Sequence, residues 1–471
     1  MAFLPEIYFL GVVLVFFILS LREQSVIRDQ RVAFILSAVG VLVSALAFDQ
    51  RCELFSGAYR VDFFSQVFKL ILSLGFFLVI YIGQGLRDLD DKLYSEYYMF
   101  LSISIVGLML LVSSVELVTI FVALELSSYS LYIVIPFRNR GTHKDQVEAA
   151  IKYIIFGAVA TGVMLFGMSY LFGIAHTTYI AELAQKLPDL MGQPIAVLGG
   201  LLMLAAFMFK FGLFPFHFWL PDVYEGTSNE TAAFVATMPK IAAVALLLRL
   251  VAALNGGSYT SLIEVLVVIS AISMTYGNLA ALVQKDIKRI LAYSGIAHAG
   301  YVLLGVVSVS TLGYAAATYH IIGYMLMSAA CFLVVCKLSQ EGKNVTLDDL
   351  KGLYKRSPWL AFTLATGVFA LAGIPPFMGF TGKFFLLSAA FKKGFLGLVI
   401  IAAINTAISI FYYLNMVRLA YAVESPSDMP PLSTDISTKL IGFILIVSII
   451  LAGILPTTLV NLASMAAQAV L

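Results

Sequence analysis

Charge is what this sequence has least of. Of its 471 residues only 12% are Asp, Glu, Lys or Arg, against about a quarter in soluble domains. That shortage excludes an ordinary water-soluble globule. The net charge is +2 and no run of basic residues marks a nucleic-acid surface. Cysteine is scarce: Cys52, Cys331 and Cys336 are the full set. The last two share one apolar segment without metal-ligand spacing, which argues against a disulfide framework or an iron–sulfur site. Long polar connections are missing too. The longest, 337–357 and 423–439, run to some 20 residues, too short for a soluble domain. The first apolar run, Phe3 to Leu21, has no basic leader before it and no Ala-x-Ala-like site after it. It reads as a first helix, not a cleaved signal.

What is present is apolar sequence, 61% hydrophobic with mean hydropathy +0.97. A membrane-spanning helix needs roughly 20 such residues. The pattern predicts an all-α polytopic membrane protein of about fourteen transmembrane helices, centred near residues 12, 41, 73, 106, 126, 161, 205, 242, 273, 300, 326, 372, 408 and 448. Basic residues are unevenly shared among the loops. Those after odd-numbered helices hold 17, among them Arg87, Arg138, Arg140 and Lys288; those after even-numbered helices hold 5; the other 7 of 29 lie within spans. The positive-inside rule then puts the odd loops in the cytoplasm and both termini outside.

Short stretches recur. Tyr153, Ile155 and Gly157 match Tyr319, Ile321 and Gly323 at an offset of 166. Lys210-Phe211 and Lys383-Phe384 lie 173 apart, as do Glu125 and His298. Five helices per unit would make helices 4–8 and 9–13 two repeats. An odd number inverts their topology, as in many transporters. The chain then divides into a three-helix segment (1–96), a first repeat (97–255), a second repeat (256–422) and a C-terminal helix (423–471).

Four lysines stand in apolar surroundings: Lys152, Lys210, Lys240 and Lys383. A charged amine at the centre of a bilayer costs at least about 2.5–3.5 kcal/mol, so each needs a reason. Two of them adjoin segments rich in Pro and Gly, Phe211-Gly-Leu-Phe-Pro-Phe-His217 and Gly373-Ile-Pro-Pro-Phe377. These are expected to break helices 7 and 12, because proline removes a donor and clashes with the preceding turn. Broken helices at membrane depth persist where protein or trapped water satisfies the freed backbone groups, and they point to binding or relay sites. A kink that only shapes packing explains one such break better than it explains two with lysines. An amine taken out of water loses much of its preference for the charged form, and a nearby carboxylate restores it. Glu125 is the natural carboxylate, although sequence leaves open which lysine it meets and whether it is only a structural ion pair. His217, His298 and His320 supply imidazoles, which both donate and accept near neutral pH. Lys152 follows Glu148 by four residues, so a local i,i+4 pair is an alternative to relay duty. Lys69, Arg249 and Arg418 are expected near span ends, where long side chains reach water.

These residues carry a family resemblance. Leu124-Glu125-Leu126, Ala150-Ile151-Lys152-Tyr153, Pro215-Phe216-His217, Trp219-Leu-Pro-Asp-Val-Tyr224, Ala236-Thr-Met-Pro-Lys240, Ala297-His298-Ala-Gly-Tyr301 and Gly382-Lys383-Phe384 resemble the antiporter-like membrane subunits of respiratory complex I, and most of all subunit N. Subunit L would add a lateral helix at the C-terminus, and subunit M has Glu where this chain has Lys383. The resemblance implies a non-redox subunit of a proton-translocating NADH-quinone oxidoreductase. Glu125 and Lys210 would control the first half-channel, Lys240 and His298 would carry the proton along the mid-membrane axis, and Lys383 would pass it on. Lys152, His217 and His320 complete the candidate relay. The chain shows no nucleotide loop, flavin motif or cluster ligands, so flavin, iron–sulfur clusters, NADH and quinone are expected in partner subunits of the membrane and peripheral arms. A bacterial inner membrane is the expected location, with a thylakoid as alternative. A cation/proton antiporter of the Mrp type, or a membrane-bound hydrogenase-type complex, fits the same residues.

Overall fold

Several of the helices begin at a polar side chain that caps them. Ser25 accepts a hydrogen bond from the Arg28 amide, Asp62 and Ser65 form a reciprocal capping box, Glu116 accepts from Val118 and Thr119, and Asp286 and Ser310 accept from Arg289 and Gly313. Such caps satisfy the donors that every helix start leaves free. The computed structural model describes the chain apart from residues 86–87, 139–142, 191–192, 256–260, 340–341, 423–431 and 433. Arg87 and Arg140 of the loop tally lie outside the described residues, as do the residues just after the expected boundaries at 255 and 422.

In chain order the elements are α1 (Leu4–Ser20), α2 (Val26–Leu46), a small antiparallel hairpin of β1 (Cys52–Leu54) and β2 (Tyr59–Val61), α3 (Phe63–Ile82), α4 (Tyr94–Ser113), α5 (Leu117–Val134), α6 (His143–Ala175), α7 (Ile180–Leu190), α8 (Pro194–Met203), α9 (Ala205–Phe211), α10 (Trp219–Gly226), α11 (Asn229–Asn255), α12 (Ser261–Leu282), α13 (Ile287–Val307), α14 (Thr311–Leu338), α15 (Leu353–Arg356), α16 (Pro358–Ala372), α17 (Met378–Lys392), α18 (Leu396–Ala422), α19 (Ile436–Ile454) and α20 (Thr457–Gln468). Among the described residues, twelve stretches are long and apolar enough to cross a membrane, and α1 and α16 are apolar but shorter. The chain is an all-α polytopic membrane protein.

Helix α11 is the centre of the bundle. Its whole apolar window is buried, against about a third of the windows of α2, α6, α12 and α18, which turn most of their side chains outward. It packs on α3, α4, α9, α13 and α14, and α14 in turn packs on α13, α16 and α17. The candidate site lies on these inner helices. Loop contacts fall into two sets. Leu89 bridges Arg138 and Asp286 bridges Thr346, while Tyr59 bridges Ser114 and Glu116 bridges Tyr179. Loops that alternate along the chain thus gather at opposite ends of the bundle.

The two expected breaks are present. Helix α9 stops at Gly212 (φ 77°) and α16 at Gly373 (φ 85°), a left-handed conformation that glycine adopts without penalty. Each end is closed the same way: Leu213 N–H donates to the Met208 carbonyl, and Ile374 N–H to that of Phe369. The lysines do not match as well as the breaks. The two glycines are 161 residues apart, whereas Lys210 precedes its break and Lys383 follows its own. The 173-residue offset therefore does not superimpose one break on the other.

Candidate proton relay

Glu125 points inward from α5. Its Oε1 accepts a hydrogen bond from Thr161 Oγ1 of α6 at 2.7 Å. Lys210, near the end of α9, is 2% exposed. Its amine donates to Tyr153 Oη at 3.2 Å, with the amine 5.6 Å from the ring centre. No ion pair joins Glu125 and Lys210 at contact distance among the described residues, yet Glu125 is the charge that acts on Lys210. The two are close enough to feel each other and too far apart to lock. Tyr132 fills the space beside them: its ring packs edge-on against Tyr153, and a methyl group at Gly157 would overlap its hydroxyl.

The second half is more continuous. Lys240, just before the middle of α11, donates to Tyr324 Oη of α14 at 3.5 Å. The Tyr324 ring lies 5.3 Å from that of His298 on α13. His298 Nδ1 is 3.1 Å from His320 Nε2, the two rings stacking at 5.3 Å. His320 Nδ1 faces Gly382, next to Lys383, so closely that a Cβ there would sit 2.7 Å away. The Lys383 amine donates to the Leu371 and Ala372 carbonyls at 3.1 and 3.0 Å and lies 4.7 Å over the Tyr301 ring. Those carbonyls belong to the last turn of α16, where a helix leaves acceptors unmet. The break therefore builds the seat for Lys383. At the other break the corresponding service comes from Trp219, whose indole N–H donates to the Phe209 carbonyl at 3.1 Å.

Lys240, His298, His320 and Lys383 thus come together, and Glu125 and Lys210 form a second group. Tyr224 of α10 is fully buried and lies near both Tyr153 and Tyr324. It occupies the ground between the groups.

Two expected members stand apart. Lys152 is not a buried mid-membrane amine. Its side chain is 34% exposed and ion-paired with Glu148 at 2.6 Å and Asp222 at 2.5 Å. The i,i+4 alternative is the arrangement found, because Lys152 sits on the outer turns of α6 where Asp222 of α10 reaches it. His217 is buried, but its neighbours are rings (Phe214, Phe218 and Tyr276), and neither ring nitrogen has a hydrogen-bond partner. A third expectation also fails: Lys69 does not reach water. It is fully buried and ion-paired at 2.6 Å with Glu6, itself fully buried and hydrogen-bonded to Tyr59. Arg249 likewise pairs with Asp62 at 2.7 Å. Sequence reasoning missed Glu6, Tyr153, Tyr224 and Tyr324. Tyr153 and Tyr224 lie within the quoted motifs, and Glu6 is a lone acid in the first apolar run, a signal that was available.

Comparison with known proteins defines the class first. Residues 114–409 match the transmembrane family of NADH:quinone oxidoreductases and Mrp antiporters, and the chain belongs to that family. Within it, the likeness is to one subunit. The chain is 47% identical to NADH-quinone oxidoreductase subunit N 2 of Opitutus terrae, over 97% of its own length and 95% of the relative's. It is 48% identical to the protein of the same name from Solidesulfovibrio magneticus, over 98% of each. Among solved structures, a chain of respiratory complex I from Thermus thermophilus with bound Aureothin superposes with a TM-score of 0.83 at 29% identity, covering 98% of this chain and 99% of that one. The likeness to subunit N expected from the motifs is the one these relatives have.

Proposed function

We propose that the chain is the N-type, proton-translocating membrane-arm subunit of an NADH-quinone oxidoreductase of the complex I class. The observation that carries the reading is the run Lys240, Tyr324, His298, His320 and Lys383. Lys240, Tyr324, His298 and His320 follow one another at hydrogen-bond or ring-contact distance, and Gly382, the residue before Lys383, lies against His320, deep in the bundle. Lysine and imidazole both take up and release protons, and a hydroxyl between them can pass one on. Energy comes from quinone reduction in neighbouring subunits, which also hold NADH, flavin and iron–sulfur clusters. This chain's own part is non-redox: it moves protons, with Glu125 setting the charge state of Lys210. The first five-helix unit supplies Glu125, Lys210 and Lys240, and the second supplies His298, His320 and Lys383. The location is a bacterial inner membrane with both termini on the periplasmic side, in keeping with the bias of basic residues toward one set of loops.

The test is Lys210→Ala in membranes carrying the whole complex, with quinone reduction and proton uptake recorded together. The complex assembles, and proton uptake is abolished or sharply reduced. Full pumping by an assembled Lys210→Ala complex overturns the reading. A cation/proton exchanger is the alternative. Copurification with flavin and iron–sulfur subunits supports the oxidoreductase, and sodium-dependent exchange without them supports the exchanger.

A further inference from the structure

The His298 imidazole has a second partner that the path above does not use. Its Nδ1 faces His320, and its Nε2 lies 3.4 Å from Tyr413 Oη of α18. Tyr413 is fully buried, and its hydroxyl is hydrogen-bonded to Ser294 Oγ of α13. The preceding residue, Tyr412, packs against it with the ring centres 4.3 Å apart. The Tyr412 hydroxyl donates to Asn278 Oδ1 of α12 at 3.0 Å and faces the hydroxyls of Tyr413 and Ser294. The Asn278 amide is held in turn, donating to the Asn405 carbonyl and Oδ1, both at 3.2 Å. Packing alone accounts for a pair of touching tyrosine rings. It does not account for a row of buried hydroxyls that ends on a relay imidazole.

The row begins at a recess. A cavity of about 300 Å³ opens between α12, α13, α18 and the turn Leu347–Leu350, with room for several water molecules. Ala281 and Gln284, Ile290, Leu347 and Asn415 line it, and so does Tyr412. It lies at the end of the bundle where Asp286 bridges Thr346, the end that the bias of basic loop residues assigns to the cytoplasm. The helices lead inward from it. Ile290, Ser294 and His298 are four residues apart on α13, and Ala281 and Asn278 are three apart on α12, so each set shares one side of its helix. Tyr412 belongs to both places: it lines the recess, and its hydroxyl lies in the row behind.

We propose that this recess is a proton inlet to His298 and that Tyr412 is its gate. Turned toward the recess, the Tyr412 hydroxyl meets water; turned back, it meets Tyr413. Tyr413 gives its proton to His298 Nε2 and takes one from the Tyr412 hydroxyl, which takes one from a hydronium ion in the recess. The imidazolium then releases the proton on its other nitrogen, Nδ1, to His320. Each hydroxyl and His298 end with as many protons as they began with, and one proton has moved inward. The inference rests on His298 being part of the relay.

The experiment uses membranes carrying the assembled complex and reads protons taken up per quinone reduced in His298→Ala, Tyr413→Phe, Tyr412→Phe, the double phenylalanine variant and Asn415→Trp. Each phenylalanine keeps the ring and loses the hydroxyl. Each lowers the ratio toward that of His298→Ala, and the double variant lowers it no further, because one route is cut twice. Either tyrosine variant serves if the other fails to assemble. Asn415→Trp fills the recess with both tyrosines intact and gives the same loss. Where His298→Ala lowers the ratio, a full ratio in Tyr413→Phe, Tyr412→Phe or Asn415→Trp, or losses that add in the double variant, overturns this inference alone. A full ratio in His298→Ala overturns the relay reading beneath it, and this inference with it.

Discussion

Lys383→Arg separates holding a charge from releasing a proton. The amine of Lys383 is 4% exposed and bonded to two main-chain carbonyls at 3.0 and 3.1 Å. A guanidinium has five donors and keeps the same charge, so it can serve both carbonyls. The lack of a side chain at Gly373, which lies against Lys383 Cδ, leaves room for the larger head. Assembly and stability are therefore expected to survive. What changes is intrinsic acidity. Free lysine and arginine differ by about 2–3 pK units, or roughly 3–5 kcal/mol at ~1.4 kcal/mol per unit. If proton release from this position limits the path, the arginine complex relays protons ~10²–10³-fold more slowly. The assay is quinone reduction with proton uptake in membranes, beside Lys383→Ala. Both variants should lose the same share of protons per quinone, the arginine variant with normal assembly. A Lys383→Arg complex pumping at the full ratio would show that only the charge matters, and the relay role at this position would fall.

Lys152→Ala should leave pumping unchanged and alter stability by no more than about 1 kcal/mol, the usual range for a partly exposed ion pair; loss of proton uptake in an assembled complex would return Lys152 to the path. Asp62, the cap of α3, gives a pH prediction. Burial pushes its carboxyl up, but the charge and hydrogen bonds of Arg249, with the Ser65 amide, outweigh that and hold it below the usual carboxylate range. Its stabilisation is therefore complete above the unfolded value near pH ~4 and lost as pH falls through the lower folded value. Asp62→Asn should cost about 3 kcal/mol near neutral pH by stranding Arg249. The gap in Tm between wild type and variant, measured on the solubilised complex, should shrink as pH drops from about 6 to about 3; a constant gap would show that Asp62 does not titrate in this way.

The outline of this molecule could be read from its sequence because lipid imposes few solutions. Runs of twenty apolar residues must be helices, and Pro with Gly inside such a run must break one. Gly212 and Gly373 accordingly mark the two breaks. Lys210, Lys240 and Lys383 stood out because an amine is conspicuous in apolar sequence. Depth was less legible. Lys152 and Lys69 have equally apolar neighbours in sequence, yet one reaches water and the other is wholly enclosed. Their partners decide this, Asp222 from another helix for Lys152 and Glu6 from the first run for Lys69, and no local pattern reveals a contact across 63 or 70 positions. The tyrosines were hidden for a different reason. Among 23 of them, nothing in composition separates Tyr324, which links Lys240 to His298, from those that only fill space.

The buried charges fall into two kinds, and the difference bears on function. Glu6 with Lys69 and Asp62 with Arg249 are closed pairs, carboxylate against cation at 2.6–2.7 Å. Removing one partner of such a pair costs several kcal/mol, because the other is left buried and uncompensated. A proton drawn from Lys69 would leave Glu6 in that state, so the pair resists transfer. Lys210, Lys240 and Lys383 have no carboxylate at ion-pair distance among the described residues; they rest on a tyrosine hydroxyl or on main-chain carbonyls. Those partners are neutral, and they favour the ammonium without binding it as a counter-ion would. Small movements of a carboxylate nearby, Glu125 for Lys210, can then decide whether the proton stays. The same sequence feature, a basic residue in an apolar run, therefore serves two ends. What separates them is whether a fixed acid answers the base, and in the path from Lys240 to Lys383 none does.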